Sequence, residues 1–135
     1  MSAGTKVFLD TGIFIAFLDA SDRWHPDARA LFASPPRFWS TSLLVIAEAH
    51  GWFLHRMGEE SARRFHELIG DMRGLQLLEM TRADHDATLK VLDRLRGAKL
   101  TYVDAASLAF LSKKRITMVW STDRHLSLTG VRVVP

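Results

Sequence analysis

Short apolar runs punctuate the chain: KVFL (6–9), RFWS (37–40), LQLLEM (75–80), TMVWS (117–121) and VRVV (131–134). Their length and their β-branched and aromatic content predict five strands. Between them GIFIAFL, HPDARALFA, SLLVIAEAHGWFLHRM, EESARRFHELIGDM, ADHDATLKVLDRLR and YVDAASLAFLSKK carry helical patterns, several with Thr, Ser or Asp at their starts. Strands separated by helical crossovers predict an α/β domain with a mainly parallel central sheet flanked by helices. In open sheets of this kind the ligand crevice lies beyond the carboxyl ends of the strands. Asp10 follows the first predicted strand and Asp123 the fourth, so two acids point to one edge.

Asp10 also poses a question of cost. It ends an apolar run that reads as core, and burying an unpaired carboxylate is strongly unfavourable, so it must cap a helix, pair with a cation or bind a metal. Other acids sort by whether a cation stands nearby on the same helix. Glu59 has Arg63 four residues on, Glu60 has Arg64 and Asp86 has Lys90, the spacing of a solvated helix face. Glu48 has only Leu44, Val45, Gly51 and Trp52 at three and four positions, and Asp104 only Leu100, Thr101, Ser107 and Leu108. Capping remains open for three acids: Asp10 precedes a helix, Thr101–Asp104 resembles a capping box with Asp replacing Glu, and Ser121-Thr122-Asp123 suits a turn or cap. Glu48 lies mid-helix and needs a compensating group from elsewhere.

Composition narrows the class of molecule. With 135 residues, 47% hydrophobic and 24% charged, the chain suits one globular domain spanning 1–135. Cysteine is absent, which excludes a disulfide framework, a thiolate zinc site and a cysteine nucleophile. An aspartate interrupts the first apolar run too early for a signal-peptide core, and no run approaches the roughly 18 apolar residues of a membrane span. A cytoplasmic protein with no membrane partner is expected. The net charge of +3 and the pI near 9.7 permit a polyanionic partner.

Four segments, VFLDTGIFIAFLD, TSLLVIAEAHGW, LTYVDAASLAF and WSTDRHL, occur in this order across essentially the whole chain. In that arrangement they resemble the PIN-domain ribonucleases, most closely the VapC-type toxins of type II toxin-antitoxin pairs. The resemblance implies a three-layer PIN-like fold and metal-dependent hydrolysis of RNA. It implies that Asp10, Glu48, Asp104 and Asp123 hold Mg²⁺ or Mn²⁺, with Thr11 and Thr122 as supporting hydroxyls. A cognate antitoxin protein and a homodimer are the partners it implies besides RNA. Gly12 departs from the family pattern, where Asn or Ser commonly follows the Asp-Thr pair.

Elementary electrostatics agrees with this reading. Two carboxylates about 5 Å apart repel by roughly 3 kcal/mol at an effective dielectric near 20, so four in one crevice call for protons or cations. Oxygen donors suit hard divalent ions. Setting the four acids aside leaves 18 basic against 11 acidic residues for a phosphate backbone to meet. Among the histidines, His25 is expected to order the turn it opens, while His50, His55, His66 and His85 have no ligand spacing. Arg124 and His125 stand beside Asp123, within reach of a phosphate or in an ordinary loop. The four tryptophans are expected in packing. Two other functions compete: a phosphohydrolase with Asp10 as nucleophile, for which the second aspartate is replaced by Gly12, and a PIN-like binding module without catalysis.

Overall fold

The computed structural model describes residues 5–135; residues 1–4, which the one-domain expectation includes, lie outside the described residues. The chain runs β1 (Lys6–Leu9), α1 (Thr11–Leu18), α2 (His25–Ala33), β2 (Phe38–Ser42), α3 (Leu43–Met57), α4 (Glu59–Asp71), β3 (Gln76–Leu78), α5 (Arg82–Arg94), α6 (Tyr102–Lys113), β4 (Met118–Trp120), a 3-10 helix (Arg124–Thr129) and β5 (Arg132–Val134). The strands form one sheet in the order β3-β2-β1-β4-β5. All four pairings are parallel, a stricter arrangement than the mainly parallel sheet expected.

Central β1 is buried at Val7, Phe8 and Leu9, so apolar side chains leave it on both faces and both faces must be covered. The register places Val7 beside Trp39 and Leu9 beside Trp120, which puts the two indoles on one face. Phe32 of α2 packs against both rings, and Phe14 of α1 packs against Phe32 and Phe65. These aromatics join α1, α2 and α4 into one apolar layer. Trp24 and Trp52 pack at its margin, in line with the structural role expected for the tryptophans. Buried Thr41 donates to the Leu9 carbonyl at 2.7 Å, tying the end of β2 to the end of β1.

From β1 the chain builds outward to β2 and β3, then crosses to β4 and β5 on the other side. The strand order therefore reverses between β1 and β4, where open α/β sheets leave a crevice at their carboxyl ends. The Asp10 amide donates to the Trp120 carbonyl at 3.0 Å and closes the two strands just below that point.

Glu59–Arg63 and Glu60–Arg64, expected on a helix face, form no ion pair among the described residues, and two further details depart from expectation. Residues 124–129 form a 3-10 helix that no periodic pattern announces, and Asp86 pairs with Arg82, one turn before it, instead of Lys90. Both belong to short-range geometry in exposed segments, where several partners are nearly equivalent.

Asp84 is the acid on which the α5–α6 layer leans. Thr81 and Asp84 form a complete capping box at the start of α5, and Lys113 at the end of α6 reaches the same carboxylate at 2.9 Å. The Lys113 hydrogen bond, then the Thr81 amide, holds the Asp84 carboxyl below its ordinary value. Its stabilising contribution is thus present above the unfolded carboxylate pKa and disappears as pH falls through the lowered folded value. Asp84→Ala should cost about 2 kcal/mol at pH 7 by urea denaturation, through lost cap and partner. The deficit should shrink on acidification.

Candidate metal centre at the carboxyl edge

Asp10 stands at the N-cap position of α1 with extended backbone, yet its carboxylate makes no capping bond. Instead Oδ2 accepts from the Ser121 hydroxyl at 2.9 Å, and Oδ1 is buried without a partner. The residue is only 4% exposed. Burial pushes its carboxyl up to about 6, the Ser121 and Thr11 hydrogen bonds pull it back, and the negative charges of Asp104 and Glu48 add to the rise. Helix capping therefore does not account for Asp10.

Glu48 reaches the same crevice from α3. Ser42 caps that helix at the end of β2, so Glu48 falls in its second turn, and its Oε1 accepts from the Thr11 hydroxyl. The compensating group expected from elsewhere is thus a neutral donor on α1. Glu48 is exposed despite the apolar segment around it, because it lies on the open side of the crevice.

Asp104 enters from α6. Thr101 caps the helix by accepting from the Asp104 amide at 3.1 Å, but the Asp104 carboxylate does not return to the Thr101 amide. Only half of the expected box forms, and the acid stays available. Asp123, after β4, does cap: its Oδ1 accepts from the His125 amide at 2.9 Å, and Ser121 Oγ accepts from the Asp123 amide at 3.0 Å. One donor atom each from Asp104, Asp123 and His125 lie within 4.8 Å of one another.

Sequence reasoning missed one participant and left another undecided between phosphate contact and an ordinary loop. The hydroxyl that holds Asp10 belongs to Ser121, not to Thr122, whose side chain packs against Gly12. His125 stands among the acids with Nδ1 3.1 Å from Asp123 Oδ1 and 3.8 Å from Asp104 Oδ2. Strand alternation carries the missing signal for Ser121: Trp120 points into the core, so its neighbour at the strand end points the other way.

Among the described residues no Lys or Arg pairs with any of the four acids. A buried carboxylate with one orphaned oxygen, surrounded by further acids and no fixed cation, fits a divalent ion by both charge and donor type. The oxygen-rich donor set is that of hard ions, with a single imidazole beside it.

Gly12 explains how the loops after β1 and β4 meet. A Cβ there would fall 2.2 Å from Thr122 Oγ1 and 3.4 Å from Thr122 Cβ. Gly12→Ala should therefore destabilise by about 1–3 kcal/mol through overpacking, against the roughly 1 kcal/mol that alanine returns in a helix. With Thr122→Ala in the same chain the close contact is gone and only the helical gain remains. A double-mutant cycle by thermal unfolding should show the pair at or above parental stability, and additive losses would refute the contact.

The fold has counterparts among known proteins. The 23S rRNA-specific endonuclease VapC20 of Mycobacterium tuberculosis is 27% identical over 130 residues, covering 92% of this chain and 94% of that protein. The crystal structure of M. tuberculosis VapC20, described as a sarcin-ricin loop cleaving toxin, superposes with a TM-score of 0.87 at 27% identity, over 96% of this chain and 99% of the other. A toxin-antitoxin complex from Klebsiella pneumoniae shares the fold with a TM-score of 0.67 at 19% identity, over 96% of each chain. The family model of the PIN domain matches residues 7–131, and the chain belongs to that family.

Proposed function

We propose that this chain is a metal-dependent endoribonuclease, the toxin of a type II toxin-antitoxin pair, in which Asp10, Glu48, Asp104 and Asp123 hold Mg²⁺ or Mn²⁺. The observation that carries this reading is the buried Asp10 carboxylate, with one oxygen orphaned, the charges of Asp104 and Glu48 acting on it, and Asp123 grouped with Asp104. Similarity to an rRNA endonuclease over nearly the whole chain supports RNA as substrate. A divalent ion held there would supply an activated water and offset charge building on the phosphodiester.

The chain's own residues do the positioning. Ser121 fixes one Asp10 oxygen and leaves the other buried without a partner, while Thr11 presents Glu48 and Thr101 sets the helix start that carries Asp104. Arg124 is committed to the carbonyls of Val133 and Pro135, so it braces the chain end and does not reach for phosphate. The partner we propose is an antitoxin that covers the crevice and places a Lys or Arg among the acids, replacing the cation they need. The chain's likeness in fold to a toxin-antitoxin complex supports such an assembly. Among the described residues no helix is long and apolar enough to cross a membrane, and a cytoplasmic site of action fits an RNA target.

Without metal, Asp10 should make the folded state sensitive to pH. Its carboxyl binds its proton more tightly folded than unfolded, so the contribution is fully present below the unfolded pKa and is lost as pH rises through about 6. The loss amounts to about 3 kcal/mol. Asp10→Asn should remove that fall, be more stable than the parent in EDTA at pH 7.5, gain less from added Mg²⁺, and cleave no RNA. Denaturation across pH 4–8 beside single-turnover cleavage checks this, and an Asn variant that still cleaves would return Asp10 to a structural role.

Glu48→Gln keeps the shape and the Thr11 bond while removing a charge from an exposed position. Its stability should stay within about 0.5 kcal/mol of the parent. Expression of the parent chain should slow bacterial growth, and the Gln variant should not. Growth arrest by a folded Glu48→Gln protein would favour the non-catalytic binding module.

A further inference from the structure

His125 has no role in an all-carboxylate site, yet it stands inside that site. Its ring is half-exposed, with Nδ1 3.1 Å from Asp123 and 3.8 Å from Asp104. Its ring forms no hydrogen bond among the described residues, whereas those of His25, His50, His66 and His85 do. The His125 amide is held by Asp123, so the cap that starts the 3-10 helix also places the imidazole.

We propose that His125 is a further ligand, beside the carboxylates of Asp104 and Asp123, of the divalent cation in the crevice, and that its nitrogen biases the site toward first-row transition ions over Mg²⁺. The proposal rests on the metal-nuclease reading above and adds the identity of a ligand and the direction of metal choice. Adjacent ligands of an octahedral ion with bonds near 2.1 Å stand about 3 Å apart, and the distances from Nδ1 to its two carboxylate neighbours are of that order. A hydrogen-bonding role for the ring would require donor geometry that is absent here. The orphaned Asp10 Oδ1, from a different element, points independently to a cation in the same crevice.

The chemistry of the donor then decides the selectivity. Mg²⁺ dehydrates reluctantly and keeps oxygen ligands, whereas imidazole favours transition ions. With Nδ1 engaged, the tautomer must carry its proton on Nε2, leaving a neutral ligand with one outward donor.

Mn²⁺ is the probe, bound to the full chain and followed by electron paramagnetic resonance. The parent protein should show nitrogen modulation of the bound Mn²⁺ in pulsed spectra, and His125→Ala should abolish it. His125→Ala should weaken Mn²⁺ binding about tenfold or more, the least that losing a ligand-supporting group costs, while Mg²⁺ affinity from competition changes much less. Circular dichroism establishes that the variant is folded, and His125→Gln repeats the test with a bulkier side chain. Mn²⁺ that binds in an Asp104-dependent way without nitrogen modulation, or with modulation that survives His125→Ala, would overturn the His125 ligand and leave the nuclease reading standing. Mn²⁺ that fails to bind, or binds unchanged in Asp104→Asn, would overturn both.

Discussion

Everything at the carboxyl edge follows from one unfavourable act, the burial of the Asp10 carboxylate at the point where the strand order reverses. Removing a carboxylate from water without a partner is among the costlier things a fold of marginal stability can do. The fold meets that cost only in part. Ser121 supplies a hydrogen bond to one oxygen and the other has none, while burial and the neighbouring acids still leave its pKa at about 6. A structure built for stability alone would replace Asp10 with an apolar residue. The remaining deficit is what a bound cation can remove, so binding and stability are linked through this group.

Two Thr-x-x-Asp segments in one chain show how similar sequence serves different ends. At Thr81–Asp84 the carboxylate returns to the cap amide and takes Lys113 as well, so its charge is fully used in holding α5 to α6. At Thr101–Asp104 the hydroxyl caps the helix but the carboxylate stays free, facing Asp10 across the crevice. Spacing alone cannot separate these cases, because the difference lies in which way the side chain turns. That turn is decided by tertiary neighbours: the lysine that ends α6 in one case, a parallel-sheet edge in the other.

The same distinction marks what could be read from sequence. Hydrophobic periodicity placed every α-helix and strand to within about two residues at most ends, since burial on both faces of β1 and along α6 leaves a plain apolar record. Glu48 and Asp104 were legible as unusual acids because they lack local cations, whereas their grouping with Asp10 and Asp123 came from the family resemblance. Ser121 was not legible, because choosing between adjacent hydroxyls at 121 and 122 requires knowing where β4 ends, and strand ends are the weakest feature of any pattern. Thr122 was spent on Gly12 instead, a contact invisible without both loops in place. The 3-10 helix at 124–129 follows a cap, not a periodicity, and it is this cap that brings His125 to the acids.

The openness of the site argues for a polymeric substrate. A cavity of about 620 Å³ lies between α2 and the β4–β5 strands, lined by residues including Arg37, Trp120 and Arg132, and holds none of the four acids. The acids instead grade from buried Asp10 and Asp104 to exposed Glu48 and half-exposed Asp123 along one edge. A small phosphate ester handled by an enclosed phosphohydrolase needs walls that exclude water around it. A long polyanion needs the reverse: an accessible edge on which one phosphodiester meets the acids while its neighbours extend over a surface where basic residues outnumber the remaining acids. With Gly12 where a second nucleophile-side aspartate would have to stand, and Thr122 filling the space beside it, the phosphohydrolase alternative loses both its residue and its room.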